Sequence, residues 1–494
     1  MLLSCFQRKV LLASRHNQIL RAHSYATQLE SKITELSKNV YKQRVISRRP
    51  LDGLESLFHE CHKTGIGFSY LVTGIRSKVP IEEKSLREAL TMVSYQQPLL
   101  RATITETADV KYFESKEGRV SFGFSALDKD INDTEAITEE IFANTKFERD
   151  NGPLWNAVLI PGNFHPSSET YTGGVALAIS HAIANAHSLV AVLRQTLGYL
   201  ENIAKGTAPK VEDIPSLPLY PSSAALLSHK LKNLSTPNRI ISSQDYINPV
   251  LNQFPTIEND PQKSEPRTKV LIRTIPAERV VSFLQQCRSN NCSITGAILA
   301  ACHYSFSALL KTTQFSANAT NDITCLTSVG KNHQPTLPND YVACHYGALT
   351  YDIELSTSNT DFWELARSLT KDIRYDIGRE KHLEFLSKVE TDSQMFIKNV
   401  LHEGSLKLAS RKKSSLTVSN IGSVFTETNP EDLFHPQELI VGTPIHKRFG
   451  TFGNYIIGLK GKLHYMFCYD GSIISREIAQ SYSDGVWNAL KLQA

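Results

Sequence analysis

The sequence predicts a mixed α/β fold, and three observations support this prediction. From residue 47 onward, short apolar segments rich in β-branched residues alternate with segments of helical periodicity. Hydrophobic residues make up 41% and charged residues 21% of the chain, which provides enough apolar material for a sizeable core. A polar, proline-containing stretch at residues 235–267 is typical of a linker, and it separates two halves at residues 47–234 and 268–494.

The first half alternates strands with a helix. Strand-like composition predicts strands at residues 68–74, 102–105, 155–160 and 175–179. An amphipathic pattern predicts a helix at residues 81–94, and an apolar segment at 189–193 is typical of a buried helix. Pro215, Pro218 and Pro221 exclude a single regular element in their stretch.

The second half repeats this alternation. Strands are predicted at residues 268–275, 324–329, 416–422 and 463–470. Pro276 begins a predicted helix, since proline is favoured at the first helical positions. Small and aliphatic residues at 293–302 predict a helix buried on nearly all sides, and amphipathic patterns predict helices at 361–377 and 475–491.

His181 is the best candidate for chemistry. It follows the apolar strand at 175–179, and small residues separate it from the apolar segment at 189–193. An imidazole at such a junction can accept a proton from a hydroxyl or an amine near neutral pH. The pattern alone leaves open that His181 is a hydrogen-bonded packing residue, and we expect His187 to be a packing or surface residue.

Several function classes lack support. The net charge of +4 is small and its basic residues are scattered, so neither nucleic acid nor an acidic membrane surface is predicted as the main partner. No apolar run has the length of a transmembrane helix.

The eight cysteines form no C-x-x-C pair, which favours reduced, buried thiols. No phosphate-loop or dinucleotide fingerprint occurs.

No metal site is predicted. The nearest candidate, His59-Glu60-Cys61-His62, has its histidines three residues apart, whereas the helical zinc motif needs a spacing of four. We therefore interpret it as a solvated helix face.

Residues 1–28 have the composition of a mitochondrial presequence. They include Arg8, Lys9, Arg15 and Arg21, and no acidic residue precedes Glu30. This predicts import into the mitochondrial matrix and removal of the segment. A disordered basic tail is the alternative interpretation.

Five segments in order carry a family resemblance. They are Gln97-Pro-Leu-Leu-Arg-Ala102, Gly152-Pro-Leu-Trp155, the run from Ser180 to Ser188, the small-residue run at 294–301, and Val418-Ser-Asn-Ile-Gly422. In this order they resemble the coenzyme A-dependent acyltransferase superfamily, which includes chloramphenicol acetyltransferase and peptide-synthetase condensation domains. The fungal alcohol acetyltransferases and polyketide-associated acyltransferases are the most similar branch.

The resemblance implies a fold and a reaction. The fold would be a mixed α+β sandwich of two similar halves, set in a V around a channel, with a crossover segment near residues 410–450. His181 would act as general base while an acyl group moves from coenzyme A to a small alcohol or amine. Acyl-coenzyme A would be a co-substrate rather than a bound cofactor. We also expect a monomer, with peripheral membrane contact left open.

Other site residues follow from the same resemblance. Ser419, Asn420 and Gly422 would contact substrate at the channel floor, although a tight structural turn is the alternative. If acyl-coenzyme A is the co-substrate, we expect the basic run Arg411, Lys412 and Lys413 to contact its 3′-phosphate; a solvated loop is the alternative, as for most short basic runs.

Asn185 stands where the family motif has an aspartate that pairs with an arginine, and Ala186 replaces its glycine. Asparagine can hydrogen-bond but carries no charge. A second hypothesis is therefore a non-catalytic protein with this fold that binds a ligand or a protein partner. An arginine still directed at the motif would indicate a degraded site, whereas a loop closed by hydrogen bonds of Asn185 would indicate a rebuilt, working one.

Overall fold

Two large mixed sheets organise the computed structural model, which describes residues 45–61, 67–116, 122–147, 152–234, 268–310, 320–327, 337–355, 361–397, 416–426, 429–445, 452–472 and 474–492. The strands are β1 Val45–Pro50, β2 Phe68–Ser77, β3 Ala102–Thr107, β4 Val110–Lys116, β5 Gly123–Ala126, β6 Trp155–His165, β7 Thr170–Ser180, β8 Thr268–Ile275, β9 Thr320–Thr327, β10 Gly347–Glu354, β11 Leu416–Val424, β12 Phe434–Gly442, β13 Phe452–Leu459 and β14 Lys462–Asp470.

The helices surround these sheets. They are α1 Gly53–Cys61, α2 Glu83–Gln96, α3 Thr134–Asn144, α4 Ala186–Ala204, α5 Ser223–Leu226, α6 Ser228–Asn233, α7 Ala277–Ser289, α8 Ile294–Leu310, α9 Phe362–Gly378, α10 Glu384–Ile397 and α11 Arg476–Leu492. The described residues between 47 and 492, apart from Lys116, belong to one compact unit, to which the description below refers.

The five-stranded sheet has the order β12-β2-β7-β6-β5. Strand β7 lies at its centre, antiparallel to β2 and β6, and is buried from Gly173 to Ser180. Strand β12 comes from the second half of the sequence and pairs antiparallel with β2, from Phe434 opposite Ser77 to Gly442 opposite Tyr70. The second half therefore supplies an edge strand to the sheet that carries β7.

The six-stranded sheet has the order β10-β9-β11-β13-β14-β8. Strand β11 is parallel to both of its neighbours, β9 and β13. Strand β14 is antiparallel to both of its neighbours, β13 and β8. Helices α8, α9 and α11 contribute to its core, which contains Ala297–Cys302 of α8. A smaller sheet has the order β1-β4-β3. The mixed α/β class predicted from the sequence is confirmed.

Most predicted elements occur at the expected places. Strand β8 matches its prediction at both ends, and α8 is buried as predicted. Strand β7 and helix α4 are longer than the apolar segments at 175–179 and 189–193 from which they were predicted. Flanking residues that include polar ones continue the strand pairing of β7 and the helix α4. The interpretation of residues 59–62 as a solvated face is wrong for His59 and Glu60, which are buried in α1, where Glu60 forms an ion pair with Lys111.

Three predictions concern segments that lie outside the described residues. These are the presequence at 1–28, the linker at 235–267 and the basic run Arg411, Lys412 and Lys413. Among the described residues no single helix has the length and apolarity to cross a membrane. Helices α7 and α8 taken together have the length and composition of a span, but a bend of 98° separates them.

Candidate active site

His181 lies at the carboxyl end of β7, one residue beyond the last paired position. Its backbone N–H donates to the carbonyl of Gly67 over 2.8 Å, and a tight turn follows, in which Ile183 N and Ala184 N donate to Ser180 O over 3.0 and 3.1 Å. Ala182, Ile183 and Ala184 are fully buried, so the small side chains in this turn allow close packing. The His181 residue itself is 7% exposed.

Three side chains from distant parts of the chain surround the imidazole. Phe58 of α1 stacks on it, with ring centroids 4.1 Å apart and planes inclined by 7°. Tyr346 meets it edge-on, with centroids 5.7 Å apart. Cys344 places its Sγ 4.0 Å from Nδ1 of His181. The ring is thus held in one plane, with one face covered by Phe58.

This environment controls the protonation of His181. Burial lowers its pKa from 6.5 to about 4, and a hydrogen bond to the residue's own backbone opposes this shift. The imidazole is therefore neutral at pH 7, the form that a general base requires.

Asn185 closes the loop after His181 with hydrogen bonds at both ends of its amide. Its Oδ1 accepts from Ser188 N over 2.9 Å, which caps the N-terminus of α4, and lies 3.1 Å from Ser188 Oγ. Its Nδ2 donates to His345 O over 2.7 Å. An amide nitrogen facing a carbonyl and an amide oxygen facing an N–H leave only one orientation of the side chain.

The amide of Asn185 thus makes one bond that a carboxylate cannot make, the donation to His345 O. Within the described ranges, no arginine hydrogen-bonds to Asn185. The hydrogen bonds of Asn185 itself close this loop, and Ala186 follows as the first residue of α4.

Asn420 and Gly422 form a bulge in β11. The pairing of β11 with β13 shifts register between Asn420 and Ser423, and Gly422 has a φ of 82°, which favours glycine. Asn420 Nδ2 donates to Thr295 Oγ1 over 3.0 Å, and its Oδ1 accepts from Gly422 N over 3.1 Å. Both ends of this amide are engaged within the protein, which favours the structural interpretation of the turn. Ser419 lies half-buried in the same strand.

His187 connects α4 to this bulge. Its side chain is exposed, and a hydrogen bond to the backbone of Ile421 opposes the lowering of its pKa by the surrounding protein. It lines a recess of about 680 Å³ that also includes Ile421 and the ion pair between Arg194 and Asp340. His181 is not among the described residues that line this recess or a second one of about 540 Å³.

Phe58, Cys344 and Tyr346 were not predicted from the sequence. No local motif identifies them, because they reach His181 only through the tertiary fold; Cys344 is 163 residues away in sequence.

The described part of the chain contains no group of three or more metal-binding side chains.

Comparisons with known proteins place this geometry in context. No family model and no curated protein sequence matches the chain. Solved structures do: polyketide synthase associated protein 5 from Mycobacterium tuberculosis has a TM-score of 0.63 at 14% identity, over 92% of this chain and 99% of that one. The TRI3 trichothecene 15-O-acetyltransferase from Fusarium sporotrichioides has a TM-score of 0.63 at 11% identity, over 92% and 98%.

Condensation domains share the same architecture. That of the monacolin K polyketide synthase MokA has a TM-score of 0.59 at 11% identity, over 91% of this chain and 97% of that one. At such identities the likeness shows the fold. The chain therefore has the same fold as these acyltransferase and condensation-domain structures, which is the fold that the order of its sequence motifs indicated.

Proposed function

We propose that this protein is an acyltransferase that moves an acyl group from coenzyme A to a small alcohol or amine, with His181 as general base. The observation that carries the proposal is the buried imidazole at the carboxyl end of β7, on which Phe58 stacks with ring centroids 4.1 Å apart. Burial lowers its pKa to about 4, so the ring is neutral at pH 7. Because Nδ1 faces Cys344 Sγ at 4.0 Å, we assign the hydrogen to Nδ1 and the proton-accepting lone pair to Nε2.

The reaction follows from this tautomer. Nε2 removes the proton from the acceptor as its oxygen or nitrogen attacks the thioester carbonyl, which forms a tetrahedral oxyanion. Collapse of this intermediate breaks the carbon–sulfur bond, and the departing thiolate takes the proton from the imidazolium. General-base action of this kind contributes about 10²- to 10⁴-fold. The remaining acceleration comes from alignment of the two substrates.

Free-thiol release tests the proposal. The full chain is mixed with acetyl-, butyryl- or octanoyl-coenzyme A and a panel of alcohols and amines. We expect acceptor-dependent thiol release that falls about 10²- to 10⁴-fold in His181→Ala, and we expect His187→Ala, which changes the neighbouring exposed imidazole, to retain it. Full activity in His181→Ala would refute the general-base assignment.

The alternative is a non-catalytic protein that uses the same fold to bind a ligand or a protein. The cover that Phe58 and Tyr346 place over His181 favours this reading, because an acceptor must reach Nε2 past these rings. No thiol release with any acceptor, together with no binding of coenzyme A by calorimetry, would establish this alternative over the enzyme.

A further inference from the structure

Residues 340–346, which we call the clamped segment, supply two of the side chains that contact the His181 ring, those of Cys344 and Tyr346. The segment has no regular secondary structure from Tyr341 to Tyr346, yet Tyr341, Val342, Ala343 and Cys344 are buried. Backbone N–H and C=O groups that are buried outside helices and sheets need other hydrogen-bond partners. In this segment the partners are side chains from the first half of the sequence.

Gln97 and Ser188 bind the first part of the clamped segment. Gln97 Nε2 donates to Asp340 O over 2.8 Å, and its Oε1 accepts from Val342 N over 3.1 Å. The amide thus pairs with the segment as a neighbouring strand would. Ser188 Oγ lies 2.9 Å from Ala343 O and 3.2 Å from Ala343 N.

Ser223 and Asn185 bind the second part. Ser223 Oγ donates to Cys344 O over 3.0 Å and lies 2.8 Å from Nδ1 of His345. Asn185 Nδ2 donates to His345 O.

These bonds act on the residues that contact the imidazole. Ser223 holds Cys344 and His345, and the segment ends at Tyr346. Cys344 Sγ lies 4.0 Å from Nδ1 of His181, and the Tyr346 ring meets His181 edge-on. A substitution that removes one of these hydrogen bonds would therefore displace Cys344 and Tyr346 from the His181 ring, although the substituted side chain does not contact the imidazole.

We infer that Ser223 and Gln97 are positioning residues, which act through the clamped segment to hold Cys344 and Tyr346 against His181 and keep water away from its ring. The catalytic part of this inference rests on the proposed function. Its structural part does not, because the protonation of His181 reports on these contacts whether or not the protein transfers acyl groups.

The first experiment is an NMR titration of the full chain labelled with ¹³C at the histidine Cε1 positions, with the His181 signal assigned by its absence in His181→Ala. Cys344 and Tyr346 are the titratable neighbours recorded at the ring, and burial raises the pKa of both, so both are neutral across the titration. We expect Ser223→Ala to raise the pKa of His181 from about 4 by at least one unit toward 6.5, because water then enters the site.

Ser222→Ala is the matched control. Ser222 is the neighbouring hydroxyl, and its Oγ caps α5 by accepting from Ala225 N over 3.3 Å. Within the described part of the chain, no hydrogen bond joins Ser222 to the clamped segment. An unchanged His181 pKa in Ser223→Ala, or an equal shift in both variants, overturns the inference. If Ser223→Ala does not fold, Gln97→Met is judged by the same criterion, since it removes the amide at the other end of the segment.

Kinetics separate this inference from the proposed function. If the wild type transfers acyl groups, we expect Ser223→Ala to lower kcat about 10-fold while the KM for acyl-coenzyme A changes less than twofold, because small displacements at the reacting centre reduce the rate more than binding. Equal kcat values for Ser222→Ala and Ser223→Ala overturn the positioning role and leave the proposed function intact. An inactive wild type refutes the proposed function, and the titration still decides whether Ser223 holds Cys344 and Tyr346 in place.

Discussion

Asn185 holds the loop after His181 through both ends of its amide. Its Oδ1 caps α4, and its Nδ2 donates to the carbonyl of His345. Asn185→Asp would place a carboxylate oxygen against that carbonyl and lose the donor. We expect a loss of about 1–3 kcal/mol in the free energy of unfolding, measured by urea denaturation. The exposed Asn163→Asp is the control, and a more stable or more active Asn185→Asp would contradict this account of the loop.

The protonation of His181 predicts an unusual pH profile. Burial lowers its pKa to about 4, and the imidazole loses its ability to accept a proton only below that value. We therefore expect kcat/KM for an alcohol acceptor to stay level from pH 8 to about 5 and to fall as the pH approaches 4. The measurement is the initial rate of thiol release after brief exposure to each pH. A midpoint near 6.5 would mean that the ring is hydrated in the working enzyme.

At the scale of elements, Gly296 sets the distance between α8 and α9. A Cβ on Gly296 would lie 2.2 Å from Thr370 Oγ1 and 2.7 Å from Ala366 O, both on α9. We expect Gly296→Ala to destabilise the protein by about 1–3 kcal/mol, as overpacking does in buried contacts. Gly198→Ala in α4 meets nothing within 4 Å and should be neutral or stabilising by up to about 1 kcal/mol. Thermal unfolding of both variants tests this contrast; equal midpoints would refute it.

Elements with a strong local pattern could be predicted from the sequence, and those that depend on a distant partner could not. Helix α8 is apolar on all sides and β7 is nearly continuous in apolar residues, so composition alone indicated both. Strand β12 contains Pro436 and polar residues, and it exists as a strand because it pairs with β2. Proline is tolerated there because β12 is the edge of its sheet.

The same distinction holds for the site in the whole molecule. His181 and Asn185 lie within one short stretch, and the motif they form was visible in the sequence. The stacking of Phe58 and the contacts of Cys344 and Tyr346 require α1, β7 and the clamped segment to meet, which only the complete fold achieves. The low pKa of His181 could not be predicted either, because it results from the burial that these three side chains produce.

Burial of histidines also links the stability of the whole molecule to pH. His181, His303, His345 and His464 each have a pKa lowered from 6.5 to about 4, chiefly by burial. Between these two values the unfolded chain binds more protons than the native protein at these positions, so their contribution to stability is complete above pH 6.5 and is lost as the pH falls toward 4. Buried carboxyls with raised pKa values, such as that of Glu438, act in the opposite direction, so a variant must be compared with the wild type.

His464 provides that comparison. It is a buried residue of β14 that faces β8, with Nδ1 3.0 Å from Thr274 Oγ1. In the sequence it is far from His181. His464→Gln should be less stable than the wild type at pH 7.5 because packing is lost. We expect this deficit to shrink as the pH falls from 6.5 toward 4, by about 3 kcal/mol at most, since each pKa unit corresponds to about 1.4 kcal/mol. Urea denaturation at several pH values, with the exposed His229→Gln as control, measures the difference. A deficit that stays constant with pH would mean that His464 binds its proton equally in the native and unfolded protein, and burial would then not be what makes this fold sensitive to acid.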